Sequence, residues 1–137
     1  MIYDINRITW DDEADVLVIG GGTATFAAIE AADNGAQVIL IDKQPNLGGD
    51  TAISGGVIYA SETSVQKSAG VVDERTGKPD SIDNTFNDWM RSNEHKANAT
   101  LVRKILKMGP ELIHWFIERG AVFDLYVSGI DPVKRGH

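Results

Sequence analysis

The chain has 137 residues, 42% of them hydrophobic, and a formal net charge of −7. That length fits one domain with a buried core, and the acidic balance excludes non-specific binding to nucleic acid or to an anionic membrane, which need clustered basic residues. With no cysteine in the sequence, disulfides, thiolate metal sites, Fe–S ligation and c-type haem attachment within the chain are excluded too.

Met1 to Glu13 carries five charged side chains and lacks the apolar core of a secretory signal. Residues 1–14 therefore read as an N-terminal arm, with a cytoplasmic location expected. Trp10 is expected to pack this arm near the first strand. Asp15-Val16-Leu17-Val18-Ile19 is an apolar, β-branched run, the pattern of a strand buried on both faces of a parallel sheet. Gly20-Gly21-Gly22 ends it. Ala24 to Ala32 brings helix formers with Glu30 as the one charge, which predicts a helix buried on most sides. Asn34-Gly35 closes that helix, because both residues tolerate a left-handed turn. A second strand, Val38-Ile39-Leu40-Ile41, ends in Asp42.

Strand, glycine turn, helix, strand and acid in that order make a dinucleotide-binding βαβ unit. A pyrophosphate sits against free backbone N–H groups at a helix start, where the dipole favours negative charge. Gly20 lets the chain turn off the strand, and Gly22 lets backbone approach the phosphates without a Cβ in the way. Asp42, 20 residues past Gly22, stands where a carboxylate meets the adenosine ribose. The third fingerprint position holds Thr25 instead of glycine; it either widens the helix–sheet gap or turns its hydroxyl toward the phosphates. At this level Asp42 suits FAD and NAD(P) alike, so an NAD(P)-binding module and a non-catalytic nucleotide-binding assembly subunit stay open.

After the second strand, Gln44 to Gly56 carries two glycine pairs separated by small and hydroxylated residues, suited to backbone running along a large flat ligand. Residues 61–80 read as an exposed loop excursion, with Thr76-Gly77-Lys78-Pro79 a turn signal. Residues 81–120 read as helical. Phe86, Trp89 and Met90 form one apolar face at i, i+3 and i+4, and Asn98 or Thr100 caps the next helix. Gly109-Pro110 is expected to break that helix and restart another at Glu111, and Ala121 to Val127 is a further strand candidate. His95, His114 and His137 share no metal-ligand spacing; His95 reads as a surface imidazole and His114 as partly packed. Arg135-Gly136-His137 is as consistent with a frayed terminus as with a functional one. No stretch reaches the length of a membrane span.

Asp15 to Gly22, Ile41-Asp42-Lys43, Leu47 to Ala52 and Ser54-Gly55-Gly56 together resemble the N-terminal FAD-binding region of the fumarate reductase/succinate dehydrogenase flavoprotein family. The soluble fumarate reductases and ketosteroid dehydrogenases are the most similar branches. Asn98 to Val102 and Trp115 to Ala121 resemble a later segment of the same enzymes. The resemblance implies FAD, with Gly20, Gly22, Thr23 and Ala24 at the pyrophosphate, Gly21 and Thr25 cofactor-binding beside them, Asp42 on the ribose and Lys43 beside the adenosine. Gly49, Asp50 and Thr51, then Ser54, Gly55 and Gly56, would run along the ribityl and isoalloxazine portions. Asp42 replaces the family's usual Glu, and Asp50 stands where a neutral residue is common. Members that bind flavin covalently carry a His in the glycine-pair segment; with no His between Gly48 and Gly56, attachment should be non-covalent.

The implied fold class is α/β: a Rossmann-like βαβ FAD-binding unit followed by helices, spanning 15–137 as the N-terminal portion of an FAD-binding domain. Its sheet is incomplete and needs another chain or a missing C-terminal portion, because two or three strands leave edges and apolar helix faces exposed. The expected partners are therefore a complementary polypeptide carrying the remaining strands and the substrate cap, and a small-molecule substrate. The implied reaction reduces or dehydrogenates a C=C or C–C bond next to a carbonyl. No catalytic acid or base is assigned to this chain.

Overall fold

A computed structural model describes residues 8–127 and 133–137. The chain forms two compact units, one running to Gly56 and the other starting at Val57. The first unit is β1 (Val16–Ile19), α1 (Thr25–Asp33), β2 (Val38–Ile41) and a short helical turn, α2 (Gly49–Ala52). β1 and β2 pair in parallel, Val16 opposite Val38 through Ile19 opposite Ile41. A parallel pair needs a crossover, and α1 provides it. Asn34 caps α1, and Gly35 follows at φ +85°.

Burial in this unit is lopsided. Val18 and Ala28 are buried, whereas Leu17 and Ile19, on the opposite face of β1, are 58% and 74% exposed. The strand expected to be buried on both faces is thus covered on one, and α1 buries Ala28 alone rather than most of its surface. The cause is that two strands and one helix form only two layers, leaving the other sheet face bare. Trp10 is exposed too and does not pack the arm; residues 1–7 of that arm lie outside the described residues.

The second unit contains α3 (Ser64–Ser68), the antiparallel pair β3 (Val72–Asp73) and β4 (Lys78–Pro79), α4 (Ile82–Ser92) and α5 (Ala99–Glu118). Met90, Val102 and Leu106 form its core, with Tyr59, Phe86 and Trp89 packed around them. The stripe Phe86, Trp89, Met90 is therefore core, as its spacing predicts. Ser81 and Asn98 cap α4 and α5 by accepting from Asn84 N–H and Leu101 N–H.

Several sequence expectations change in this unit. Residues 61–80 are not an exposed excursion: Ser61, Thr63, Gln66, Asp73 and Asp80 are buried, and Thr63 and Gln66 close a reciprocal capping box on α3. Buried polar side chains that satisfy one another look like loop composition in a sequence. Gly109-Pro110 does not end a helix, because α5 runs through both. Gly109 lies against Ala60, where an added Cβ would come within 3.1 Å of the Ala60 Cβ, and buried Leu106 and Ile113 pin the helix on either side. Ala121 to Val127 forms no strand; only Tyr126 bridges, to Gly136. His114 is exposed beside Glu118 rather than packed. Nor is the segment Arg135-Gly136-His137 frayed. It is buried, and it exchanges backbone hydrogen bonds with Ile58, Ala60 and Tyr126.

Candidate functional site: the β1–α1 turn

The parallel register brings the ends of β1 and β2 side by side, so Gly20 and Gly21 stand next to Asp42. Gly20 N–H donates to Ile41 O at 2.8 Å, one last rung of the ladder. Its φ of +101° then swings the chain off the strand, a conformation that side-chain-bearing residues rarely adopt. Gly21 N–H donates to Asp42 Oδ2 at 2.6 Å, and Gln44 N–H donates to Asp42 Oδ1 at 2.7 Å. These two backbone donors, Gly21 first, hold the Asp42 carboxyl below the usual carboxylate range.

The Gly21 carbonyl accepts twice, from Gly48 N–H at 2.8 Å and from Thr25 Oγ1 at 2.8 Å. Thr25, expected either to widen the helix–sheet gap or to turn its hydroxyl toward the phosphates, here bonds back through that hydroxyl to the preceding turn. The same bonds lace the segment after β2 onto the glycine turn. A Cβ on Gly21 would come within 2.5 Å of Leu47 Cδ2, and one on Gly22 within 3.2 Å of Gly48 O and 3.7 Å of Thr51 Oγ1.

Among the described residues, no acceptor stands on the N–H groups of Gly22, Thr23 or Ala24. Ala24 occupies the N-cap of α1, gives no side-chain cap, and no acidic residue lies in the first turn. Proteins ordinarily satisfy these orphan donors with a Ser, Thr, Asp or Asn cap. Three free donors at an uncapped helix start, behind a turn where Gly20 takes a positive φ and a Cβ on Gly21 or Gly22 would be crowded, fit an anionic group such as a diphosphate.

The structure thus gathers Gly20 to Thr25, Asp42 and Thr51 around one turn. Lys43 and Asp50 are exposed. Ser54 Oγ donates to Thr51 O and accepts from Gly56 N–H, closing its own local turn. No hydrogen bond among the described residues joins Ser54, Gly55 or Gly56 to the glycine turn. Sequence reasoning missed Leu47 as the wall over Gly21 and Gly48 as the donor to it. Their adjacency to a glycine pair was the available signal. No cluster of three or more metal-ligating side chains occurs among the described residues.

Residues 15–136 match the FAD binding domain family. The chain belongs to that family. Its cofactor is FAD. This FAD-binding domain is 30% identical over 125 residues to the NADH:fumarate oxidoreductase of Klebsiella pneumoniae, covering 90% of this chain and 13% of that protein. It is 34% identical over 128 residues to the fumarate reductase (cytochrome) of Shewanella frigidimarina, covering 92% and 21% respectively. Among solved structures, the 3-ketosteroid-Δ4-(5α)-dehydrogenase of Rhodococcus jostii RHA1 superposes with a TM-score of 0.79 at 29% identity, over 96% of this chain and 32% of that one. The chain therefore spans about a fifth or less of the length of these two curated relatives. No described helix is long and apolar enough to cross a membrane.

Proposed function

We propose that this domain holds the ADP half of FAD, non-covalently, within a flavin-dependent oxidoreductase. Its reaction would reduce or dehydrogenate a C=C or C–C bond next to a carbonyl. The observation that carries the reading is the uncapped start of α1, with three N–H groups that have no partner among the described residues, behind a turn where a Cβ on Gly21 or Gly22 would be crowded. In this reading Gly22, Thr23 and Ala24 donate to the diphosphate, while Gly20 and Gly21 shape the turn, their own N–H groups being spent on Ile41 and Asp42. Thr51 Oγ1 serves the phosphate end beside Gly22. Asp42 reaches the adenosine ribose with its remaining lone pairs, and Lys43 stands beside the adenosine. Gly49, Asp50, Ser54, Gly55 and Gly56 follow the ribityl and isoalloxazine portions.

When bound, FAD supplies the two-electron redox chemistry, and the polypeptide supplies binding and orientation. The substrate class is inferred from the relatives named for fumarate and for a ketosteroid. Substrate cap, remaining strands and catalytic groups would come from a complementary polypeptide or a further stretch of chain covering the bare face of β1. Identifying the nucleotide released on denaturing the purified protein tests this. FAD from a yellow preparation is expected; AMP, ADP or NAD from a colourless one overturns it.

A further inference from the structure

The third fingerprint position, where a glycine would stand, carries Thr25, and its hydroxyl makes a bond that no glycine can make. Thr25 opens α1, yet its Oγ1 donates at 2.8 Å to the carbonyl of Gly21, four residues back and outside the helix. A threonine within a helix often bonds the carbonyl four residues earlier on the same axis. Here the bond leaves the helix and lands on the buried middle glycine of the turn. The same carbonyl accepts from Gly48 N–H at 2.8 Å, so both of its lone pairs are used.

A trans peptide is planar, with its C=O and N–H pointing in opposite directions. Fixing the Gly21 carbonyl therefore aims the N–H of Gly22, the first of the three donors at the helix start. Left to itself this plane would turn easily, because its rotation changes only ψ of Gly21 and φ of Gly22, and glycine accepts most values of both. The other bonds of the turn hold different peptides. Gly20 N–H on Ile41 O and Gly21 N–H on Asp42 Oδ2 fix the two before it, and Thr25 N–H on Gly22 O fixes the one after. Gly48 N–H does reach this peptide, but it comes from the connection after β2, whose own backbone turns on two glycines, Gly48 at φ +124° and Gly49 at φ +49°. Among the described residues, the Thr25 hydroxyl is what ties the peptide to a full helix.

We propose that Thr25 is a positioning residue for the cofactor: its hydroxyl locks the Gly21–Gly22 peptide so that Gly22 N–H faces the diphosphate before FAD arrives. The inference rests on the FAD reading above and deepens it, giving Thr25 an indirect role in place of contact with the phosphates. A donor that is already aimed has less ordering to lose on binding. The departure from glycine at this position thereby favours cofactor retention.

The test compares Thr25→Val, which keeps the branched shape but loses the hydroxyl, with Thr25→Ser, which keeps the hydroxyl. Amide exchange is followed without nucleotide at Gly48, whose N–H loses its acceptor when the peptide turns. Ala28, buried in α1 and bonded to Ala24 O, is the reference. The dissociation constant for FAD is measured separately. Thr25→Val should speed exchange at Gly48 about fivefold with Ala28 unmoved, and raise the FAD dissociation constant about fivefold, a factor within the range of one hydrogen bond. Thr25→Ser should keep both within about twofold of the unaltered chain. Unchanged exchange at Gly48 in Thr25→Val overturns the proposal. So does exchange rising in step at Ala28, which is general loosening of the unit, or a serine variant that behaves like the valine one. If the unaltered chain binds no FAD, the cofactor reading itself fails; faster Gly48 exchange with FAD affinity intact refutes only the role given to Thr25.

Discussion

At the level of single residues, the glycine turn divides its work between shape and donation. Gly20 and Gly21 have their N–H groups spent inside the protein, whereas those of Gly22, Thr23 and Ala24 have no acceptor among the described residues and are the donors proposed for the diphosphate. Gly22→Val is expected to abolish FAD retention for two reasons at once. In the proposed site a side chain there would enter the phosphate's approach, and its Cβ would come within 3.2 Å of Gly48 O, so that the neighbouring backbone must give way. A titration showing unchanged FAD affinity would contradict the assignment. His137 yields a prediction about acid. Its Nδ1 faces Arg135 O at 3.0 Å, so that nitrogen carries the hydrogen, and Nε2 accepts from Thr63 Oγ1 at 2.7 Å. Burial pushes its pKa below the ordinary imidazole value, against the backbone bonds at Arg135 and Ile58. The unfolded chain therefore takes up a proton below about pH 6.5 that the folded one refuses. Stability should fall as pH drops through that value, by up to ~1.4 kcal/mol per unit until the folded ring titrates. Urea midpoints at pH 7 and pH 5 measure the drop, and His137→Gln should flatten it. The glycine turn was legible in the sequence because a glycine run straight after an apolar strand is a local signal, and Asp42 because it ends the second strand at the offset such a fingerprint requires. The Asp42–Gly21 bond and the burial of His137 depend on residues 21 and 74 positions away, which no local pattern encodes.

Among the elements, α5 is where local preference and tertiary packing disagree. Proline inside a helix removes one hydrogen bond and crowds the carbonyl four residues back, here Leu106, at a cost of about 3 kcal/mol. The helix nevertheless continues, because Val102, Leu106, Gly109 and Ile113 all lie on its buried face. Pro110→Ala should restore the missing N–H donor and raise stability by roughly 1–3 kcal/mol, read as a higher melting temperature. A lower one would mean that the ring itself packs usefully. The apolar stripe of α4 and the two caps were readable because they repeat at helical spacing or sit at fixed offsets from a helix start. The break at Gly109-Pro110 was misread for the opposite reason: contact with Ala60 across the fold outweighs the local signal.

Across the whole molecule, large apolar side chains stay exposed in both units. Leu17, Ile19 and Ile41 lie bare on the first unit, and Leu101, Ile105, Met108 and Leu112 repeat at i, i+4, i+7 and i+11 along α5 of the second. The expectation of an incomplete sheet rests on the strand count, because two confident strands cannot make a doubly wound sheet, whatever their hydrophobicity. The exposed faces agree with a stretch that spans about a fifth or less of its relatives, if those faces meet the rest of a flavoprotein. Exposed side chains contribute little to the stretch's own fold, so Ile105→Glu should move its stability by no more than about 0.5 kcal/mol. Self-association should fall sharply, since a charge in the middle of the stripe penalises any apolar contact across it. Sedimentation of the 137-residue chain against protein concentration, with and without the substitution, separates these effects. If Ile105→Glu instead unfolds the chain, the stripe belongs to the unit's own core; if both forms sediment alike as monomers, the stripe is ordinary surface rather than a face awaiting cover.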